Sequence, residues 1–215
     1  MVKGKSIFAA AALAAASLST SQAVVFNEPA SDAGQTLATA AAAGAVPNLT
    51  AINGSIGTGS DADLYSFTVS TSGPYRFTTV SAAVDTALFL FSGTGAALLT
   101  NDDATGLTLT SSLSASLVAG ATYYLGISIS GNEPVNSASQ LLFVGYPAGD
   151  TTAVRGPASG VNPTTLASFN SFNQDQTTGT YSINIAPVPE PSTWAMVGLT
   201  GIAAAAYLRR RQQAA

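Results

Sequence analysis

Between residues 48 and 186 the sequence consists of a series of short strand-like segments, and these segments limit the possible folds. Each segment carries alternating or continuous apolar residues and is bounded by Gly, Asn, Asp or Pro, which favour turns. The predicted strands are Leu49–Ile56, Leu64–Val69, Tyr75–Val80, Thr86–Phe91, Ala97–Thr100, Ser112–Leu117, Thr122–Ile129, Leu141–Tyr146 and Thr180–Ile185. Regularly spaced short strands in one domain predict an all-β fold, an antiparallel β-sandwich.

Two regions of the exported part lie outside this strand pattern. Residues 24–47 are interpreted as a flexible lead-in, in which an Ala run is also compatible with a helical turn. Residues 147–178 are polar and rich in Gly and Pro, which predicts a long loop, either closing over one end of the sandwich or mobile. Leu166, Phe169 and Phe172 are spaced three apart in it, so we expect a packing anchor on the core rather than a ligand pocket.

The N-terminus has the organisation of a secretory signal peptide, predicted over residues 1–23. Lys3 and Lys5 precede an apolar run from Ile7 to Leu18, and small polar residues follow up to Ala23. This order of charge, apolar run and small residues predicts cleavage after Ala23. The alternative is an N-terminal anchor that is never cut, for which the apolar run is short.

The C-terminal segment, residues 187–211, contains ordered elements of a different kind. Val188, Pro189, Glu190 and Pro191 come first; an apolar stretch with Trp194 at its start predicts a transmembrane helix over 193–208; Arg209, Arg210 and Arg211 close it, before a tail at 212–215. The arginines should stay in the cytoplasm by the positive-inside rule, which places the preceding domain outside. The two prolines favour extended backbone that is accessible to a protease.

This C-terminal arrangement resembles the PEP-CTERM sorting signal of Gram-negative bacteria that produce exopolysaccharide. The resemblance implies an exosortase that cuts near the Pro-Glu-Pro, with the helix as a transient membrane anchor. An ordinary tail-anchoring helix after a Pro-rich linker is the alternative, but it does not require that tetrapeptide.

A second resemblance concerns the central region. The resemblance rests on the segments Gly59–Val69, Val84–Phe91, Asn101–Asp103 and Ala119–Ile127. They look like the pre-peptidase C-terminal domain, which implies a jelly-roll-like β-sandwich. In that family the module is non-catalytic, accompanies secreted peptidases or other exported domains, and sometimes binds calcium or matrix polymers.

The composition argues against catalysis and against nucleic-acid binding. The chain has no His and no Cys, and its only lysines are Lys3 and Lys5. Ser-His, Cys-His and Ser-Lys schemes therefore lack their base or their nucleophile, and we expect no enzyme. The exported part keeps two arginines against about ten acids, a balance that repels phosphate backbones.

Acidic and amide side chains form the one candidate metal site of the sequence. Its members are Asp61, Asp63, Asp85, Asn101, Asp102 and Asp103. Calcium takes six to eight oxygen ligands, often from carboxylates of adjacent loops, so these residues are candidate ligands if the fold brings them together. The alternative is that they form turns through local backbone hydrogen bonds.

Six tyrosines raise the separate question of a sugar-stacking face. They are Tyr65, Tyr75, Tyr123, Tyr124, Tyr146 and Tyr181. Tyrosines in strands are more often half-buried packing residues. The sequence thus predicts a non-catalytic exported protein of the cell surface or exopolysaccharide matrix, sorted by an exosortase. A calcium- or carbohydrate-binding module of the cell envelope is the alternative.

Overall fold

A computed structural model of the chain describes residues 22–80, 83–105, 108–145, 152–172, 178–189 and 212. The elements within these ranges are all β-strands, which confirms the predicted all-β class. They are β1 (Val24–Asn27), β2 (Ala41–Val46), β3 (Leu49–Ile56), β4 (Ala62–Val69), β5 (Gly73–Thr79), β6 (Thr86–Ser92), β7 (Ala97–Asn101), β8 (Ser112–Leu117), β9 (Thr122–Ile129), β10 (Asn132–Val135), β11 (Ser168–Ser171) and β12 (Gly179–Pro187).

The strands form a sandwich of two five-stranded sheets. The first sheet has the order β1-β3-β12-β5-β8 and the second has the order β2-β4-β9-β6-β7, while β10 and β11 pair as a separate ribbon. Consecutive strands often lie in different sheets, so the chain crosses repeatedly between the two layers. The β-sandwich predicted from the strand spacing fits this architecture.

The sheets are mixed, which corrects the prediction of a wholly antiparallel sandwich. Strand β1 runs parallel to β3, and β2 runs parallel to β4. The other pairs within the two sheets are antiparallel. A parallel pair needs a long crossover connection. The chain supplies one by leaving β1 for the second sheet, forming β2 there, and returning to the first sheet as β3.

The segment expected to be a flexible lead-in, residues 24–47, instead contributes an edge strand to each sheet. Its Val24–Phe26 run is β-branched and aromatic, which fits a half-buried sheet edge. The Ala-rich segment Ala41–Val46 is neither helical nor loose, because pairing with β4 supplies its backbone hydrogen bonds. Tertiary pairing has here overridden a weak local preference for helix.

The loop predicted over 147–178 also contains ordered structure in the part that the structure describes. Strand β11 lies within this range and pairs with β10. The predicted strand Leu141–Tyr146 makes only isolated bridges, at Leu141 and Phe143, among its described residues. Both differences have one cause: the segment crosses the outer face of the second sheet and lacks a full-length neighbouring strand.

Two hydrophobic cores result from this arrangement. The first lies between the sheets and contains large side chains of both, among them Ile52, Phe67, Phe77 and Leu125. The second lies on the outer face of the second sheet, where Leu142, Phe143, Leu166 and Phe169 cover residues of β4 and β6. Strand β6 is therefore buried on both faces, which explains its continuous apolar sequence.

The expected packing anchor is formed by Leu166 and by Phe169 of strand β11. Leu166 and Phe169 are buried in the second core, whereas Phe172 is exposed. Phe169 lies in β11, whereas Leu166 and Phe172 lie outside this strand, so no single strand periodicity relates the three positions.

The chain enters the described sandwich at β1 and leaves it after β12 at the same end of the sandwich. Val24 pairs with Leu49 at the start of β3, and β3 is antiparallel to β12. The start of β3 therefore lies beside the end of β12 at Pro187. Two strand spacings of about 4.8 Å each separate β1 from β12 in the sheet, or about 10 Å.

Candidate functional site

The acidic residues that the structure describes gather at the end of the sandwich opposite these chain exits. This acidic end contains Glu28, Asp32, Asp61, Asp63, Asp85, Asp102, Asp103 and Glu133. The loop from β3 to β4, the loop after β1 and the starts or ends of β6, β7 and β10 meet there. Within it, the carboxylates form two groups.

The first group joins two predicted residues to two that the sequence analysis missed. Carboxylate oxygens of Glu28, Asp32 and Asp63 lie within 4.8 Å of one another. Asp61 is a near neighbour whose charge acts on Asp63. The sequence signal that would have found Glu28 and Asp32 is the Val24–Phe26 run, because a strand there carries both residues to the sheet edge.

Local backbone structure positions the missed residues. Asp32 has a positive φ of 74°, in a turn closed by its own N–H donating to the Pro29 carbonyl at 2.9 Å. Gly34 follows with φ 69°, and its carbonyl accepts from the Leu64 N–H at 2.9 Å. That bond ties the loop to β4 beside Asp63. A Cβ atom at Gly34 would lie 2.5 Å from the Thr39 hydroxyl oxygen, so the turn requires glycine there.

Asp63 is the buried centre of the first group. Its side chain is 0% exposed, its Oδ2 accepts a hydrogen bond from the Tyr181 hydroxyl at 2.6 Å, and that hydroxyl lies 2.5 Å from the Tyr65 hydroxyl. Its Oδ1 is buried with no hydrogen-bond partner among the described residues. Gly54 leaves room for the two tyrosines, because a Cβ there would lie 2.3 Å from the Tyr181 hydroxyl.

Electrostatics in this group disfavour three simultaneous negative charges. Burial raises the pKa of Asp63 to about 9; the Tyr181 hydrogen bond lowers it, and the charges of Glu28 and Asp61 raise it further. Burial also raises the pKa of Glu28, although the Ser55 N–H donates to its Oε2 at 2.7 Å. A group of this kind is stable with a bound proton or with a bound cation.

Asp61 borders an open cavity beside the group. The cavity has a volume of about 510 Å³ and is also lined by Glu28, Asp32, Ser55 and Thr58. The Gly57 N–H donates to Asp61 Oδ2 at 2.6 Å, and burial raises the pKa of Asp61. Solvent and ions therefore have a route to the carboxylates.

The second group contains Asp85, Asp102, Asp103 and Glu133. Burial raises the pKa of Asp102 to about 6, and the charges of Asp85 and Asp103 add to the rise. The Ser130 hydroxyl donates to Asp102 Oδ2 at 3.1 Å. Burial and the charge of Asp102 raise the pKa of Glu133 to about 7. Among the described residues, only the first group brings three carboxylates within 4.8 Å.

Asn101, the amide of the predicted metal set, is occupied by backbone groups. Its Nδ2 donates to the carbonyls of Asp103 and Thr152 at 3.0 and 3.1 Å, and its Oδ1 accepts from the Ser112 N–H at 2.7 Å. The bond to Asp103 is the local, turn-forming role that the sequence offered as the alternative to metal binding, and the other two bonds join this turn to more distant parts of the chain.

The tyrosines that the structure describes pack in or against the two cores. Tyr65, Tyr75 and Tyr181 are buried in the first core, and Tyr123 stacks on Phe67 at its edge. Tyr124 packs against the second core. These positions fit half-buried strand residues; Tyr146 lies outside the described ranges.

The other candidate site is the chain exit at the end of β12. Pro187 pairs with Tyr75 of β5, and the Val188 N–H continues the ladder by donating to the Pro74 carbonyl at 2.8 Å. Val188 is 38% exposed, and the described part of this segment ends at Pro189. The last strand therefore runs directly into the Pro-rich segment.

Comparison with protein families identifies this segment. Residues 187–211 match the PEP-CTERM protein-sorting motif. The PEP-CTERM motif thus begins at the last residue of β12 and covers the predicted sorting elements up to Arg211. Comparison of the chain with curated proteins gave no match.

Several residues of the predicted tag and signal lie outside the described ranges. They are residues 1–21, Glu190, Pro191, Trp194, Arg209, Arg210 and Arg211, together with the predicted helix over 193–208. Ala23, the predicted cleavage residue, is exposed one residue before β1. None of the described residues forms a helix with the length and apolarity needed to cross a membrane.

Proposed function

We propose that this chain is a non-catalytic protein of the cell surface or exopolysaccharide matrix, exported through the inner membrane and processed by an exosortase. The observation that carries the proposal is the PEP-CTERM motif over residues 187–211, which implies export and exosortase sorting. The described sandwich supports it, because the motif follows the final strand and leaves the folded body complete once the tag is removed.

The role of the body itself is proposed from its composition and fold. The chain carries no His or Cys, and Asp63 is buried. A rigid β-sandwich of this kind suits weak repeated contacts in a matrix. We also propose that it is a pre-peptidase C-terminal-like module, supported by the strand positions of two resembling segments: Gly59–Val69 leads into β4, and Val84–Phe91 leads into β6.

Intact-mass analysis of the protein from its native cells and medium tests the sorting proposal. The expected mature form lacks residues 1–23 and ends near Pro189. A second chain that stops after Pro187 should leave the membrane and keep its melting temperature within about 2 °C, because the missing residues contribute one backbone hydrogen bond to the described fold. Retention of an uncut C-terminus in the membrane would identify a permanently anchored protein instead.

A second candidate function, divalent-cation binding, is favoured by three carboxylates that meet at the buried Asp63 side chain. A fully buried carboxylate oxygen without a donor is costly unless a proton or a cation satisfies it. Glu28 and Asp32 place two further carboxylates within 4.8 Å of Asp63. Hard oxygen ligands of this kind suit Ca²⁺, and exported modules bind it with dissociation constants of about 10⁻⁴–10⁻³ M.

Melting temperatures measured with Ca²⁺ and with a chelator test this candidate. At a hundredfold excess over its dissociation constant, Ca²⁺ should stabilise the sandwich by about 2.7 kcal/mol, or about 5–10 °C for a domain of this size. Asp32→Asn should remove most of this increase because it removes one ligand and one charge. Asp102→Asn, in the second acidic group, is the matched control and should keep it. A melting temperature insensitive to Ca²⁺ in the wild type would exclude this function.

A further inference from the structure

We infer that the exosortase recognises the end of the folded sandwich together with the PEP-CTERM motif, so that the two form one composite recognition surface. This inference rests on the proposed exosortase processing and adds the residues of the body that take part. The surface, called here the neutral end, consists of residues 46–48, 69–75, 117–123 and 187–189.

No linker separates the folded body from the start of the motif, because Pro187 belongs to both. Pro187 pairs with Tyr75, and the Val188 N–H donates to the Pro74 carbonyl at 2.8 Å. Glu190 follows two residues later, and two extended residues span at most about 7 Å. An enzyme that encloses Glu190 and its neighbours therefore reaches the sandwich, or must first peel the end of β12 away from β5.

The surface of the sandwich beside the chain exit at residues 187–189 has a concave shape. A groove of about 280 Å³ lies beside the exit, lined by Pro47, 71–75 and 187–189. Its rim is held in place: the Tyr75 hydroxyl donates to the Thr71 carbonyl at 2.8 Å, and the Ala119 N–H donates to the Ser72 hydroxyl at 2.8 Å. A preformed groove can be bound with little ordering of the protein.

The neutral end differs from the rest of the described sandwich in its charge. No charged residue occurs in any of the four segments of the neutral end, whereas all eight acids that the structure describes lie at the opposite end. Val118 and Val188 are exposed there, at 61% and 38%. A surface without acids avoids repulsion near anionic headgroups, where an enzyme that processes membrane-tethered chains must work.

The positions of the two chain exits set which end of the sandwich faces the membrane when the chain is tethered. Strand β1 begins at Val24, one residue after the predicted signal cleavage site, and lies about 10 Å from β12 in the sheet. A chain tethered through either exit, or through both, turns the neutral end toward the membrane. The acidic end then points away, so the neutral end is the part of the body that meets the sorting enzyme.

The test follows processing of the full chain by pulse-labelling and intact mass in the native host. Thr71→Glu places a charge on the exposed rim of the groove and should slow removal of the tag about tenfold, as expected for the loss of one important interface contact. Thr105→Glu makes the same change at an exposed position of the acidic end, outside the cavity beside Asp61, and should process at the wild-type rate. Melting temperatures check that both variants fold.

A second variant separates recognition from simple obstruction. Six Gly and Ser residues inserted after Ala186 keep the motif at residues 187–211 intact but disconnect it from the body. This insertion should also slow processing, and Thr71→Glu should have no further effect in its presence. Wild-type rates for Thr71→Glu, or faster processing of the insertion variant, would overturn the composite surface. A wild-type chain that is never cut near Pro189 would overturn the exosortase proposal itself, so the two failures are distinguishable.

Discussion

Asp63→Asn is expected to stabilise the cation-free sandwich by about 2–4 kcal/mol at pH 8 and to change its stability little near pH 4. The folded state raises the pKa of Asp63 from its usual 3.8 to about 9. The stability linked to this group is therefore fully present below pH 3.8 and is lost as the pH rises toward 9. Asparagine carries no charge to bury, and its Oδ1 still accepts from Tyr181.

Thermal melts of both proteins in chelator across pH 4–8 measure this effect. The expected gain at pH 8 corresponds to about 5–15 °C in melting temperature. Asp32→Asn is the control: Asp32 is exposed, so the same change removes a neighbouring charge but no buried one, and its gain should be smaller. Lower stability of Asp63→Asn at pH 8 in chelator would mean that a charged Asp63 holds the site together. In saturating Ca²⁺ the order should reverse if the proposed cation site exists.

Phe89→Ala is expected to lower the free energy of unfolding by about 3–5 kcal/mol. Phe89 is 0% exposed on the outer face of the second sheet, with the rings of Phe143 and Phe169 centred 5.8 and 5.7 Å from its own. Its removal should also loosen the segment that covers this face. Differential scanning calorimetry gives the stability change, and limited proteolysis should show new cleavage between residues 136 and 172.

Phe172→Ala is the matched control for this experiment. Phe172 adjoins the same covering segment but is 60% exposed, so its truncation should change stability by less than about 0.5 kcal/mol. A loss below about 1 kcal/mol for Phe89→Ala would show that the covering segment adds little to the fold. Unchanged proteolysis despite a large loss would place the damage inside the sheet instead.

The two ends of the sandwich divide the proposed roles between them. The acidic end holds the buried carboxylate group and faces away from the chain exits. The neutral end carries the start of the PEP-CTERM motif on β12. In this arrangement, processing at one end leaves the carboxylates at the other end undisturbed.

The all-β class, most of the strands and the sorting motif could be predicted from the sequence. Strands such as β3, β8 and β9 have the predicted bounds, because alternating apolar residues between turn formers are a local signal. The PEP-CTERM motif could be found for a similar reason, since its residues are contiguous in the sequence.

Which residues meet in space could not be predicted in this way, because it depends on contacts between distant parts of the chain. Glu28 and Asp32 reach Asp63 because β1 pairs in parallel with β3 at the edge of the first sheet. This long-range pairing could not be predicted, because the Ala-rich segment after β1 is also compatible with a helical turn. Phe169 reaches Phe89 because a segment with little local regularity crosses the outer face of the second sheet. The direct continuation of β12 into the motif likewise depends on the pairing of β12 with β5. Because β5 is distant in the sequence, the residues of β12 alone give little indication of where this pairing ends.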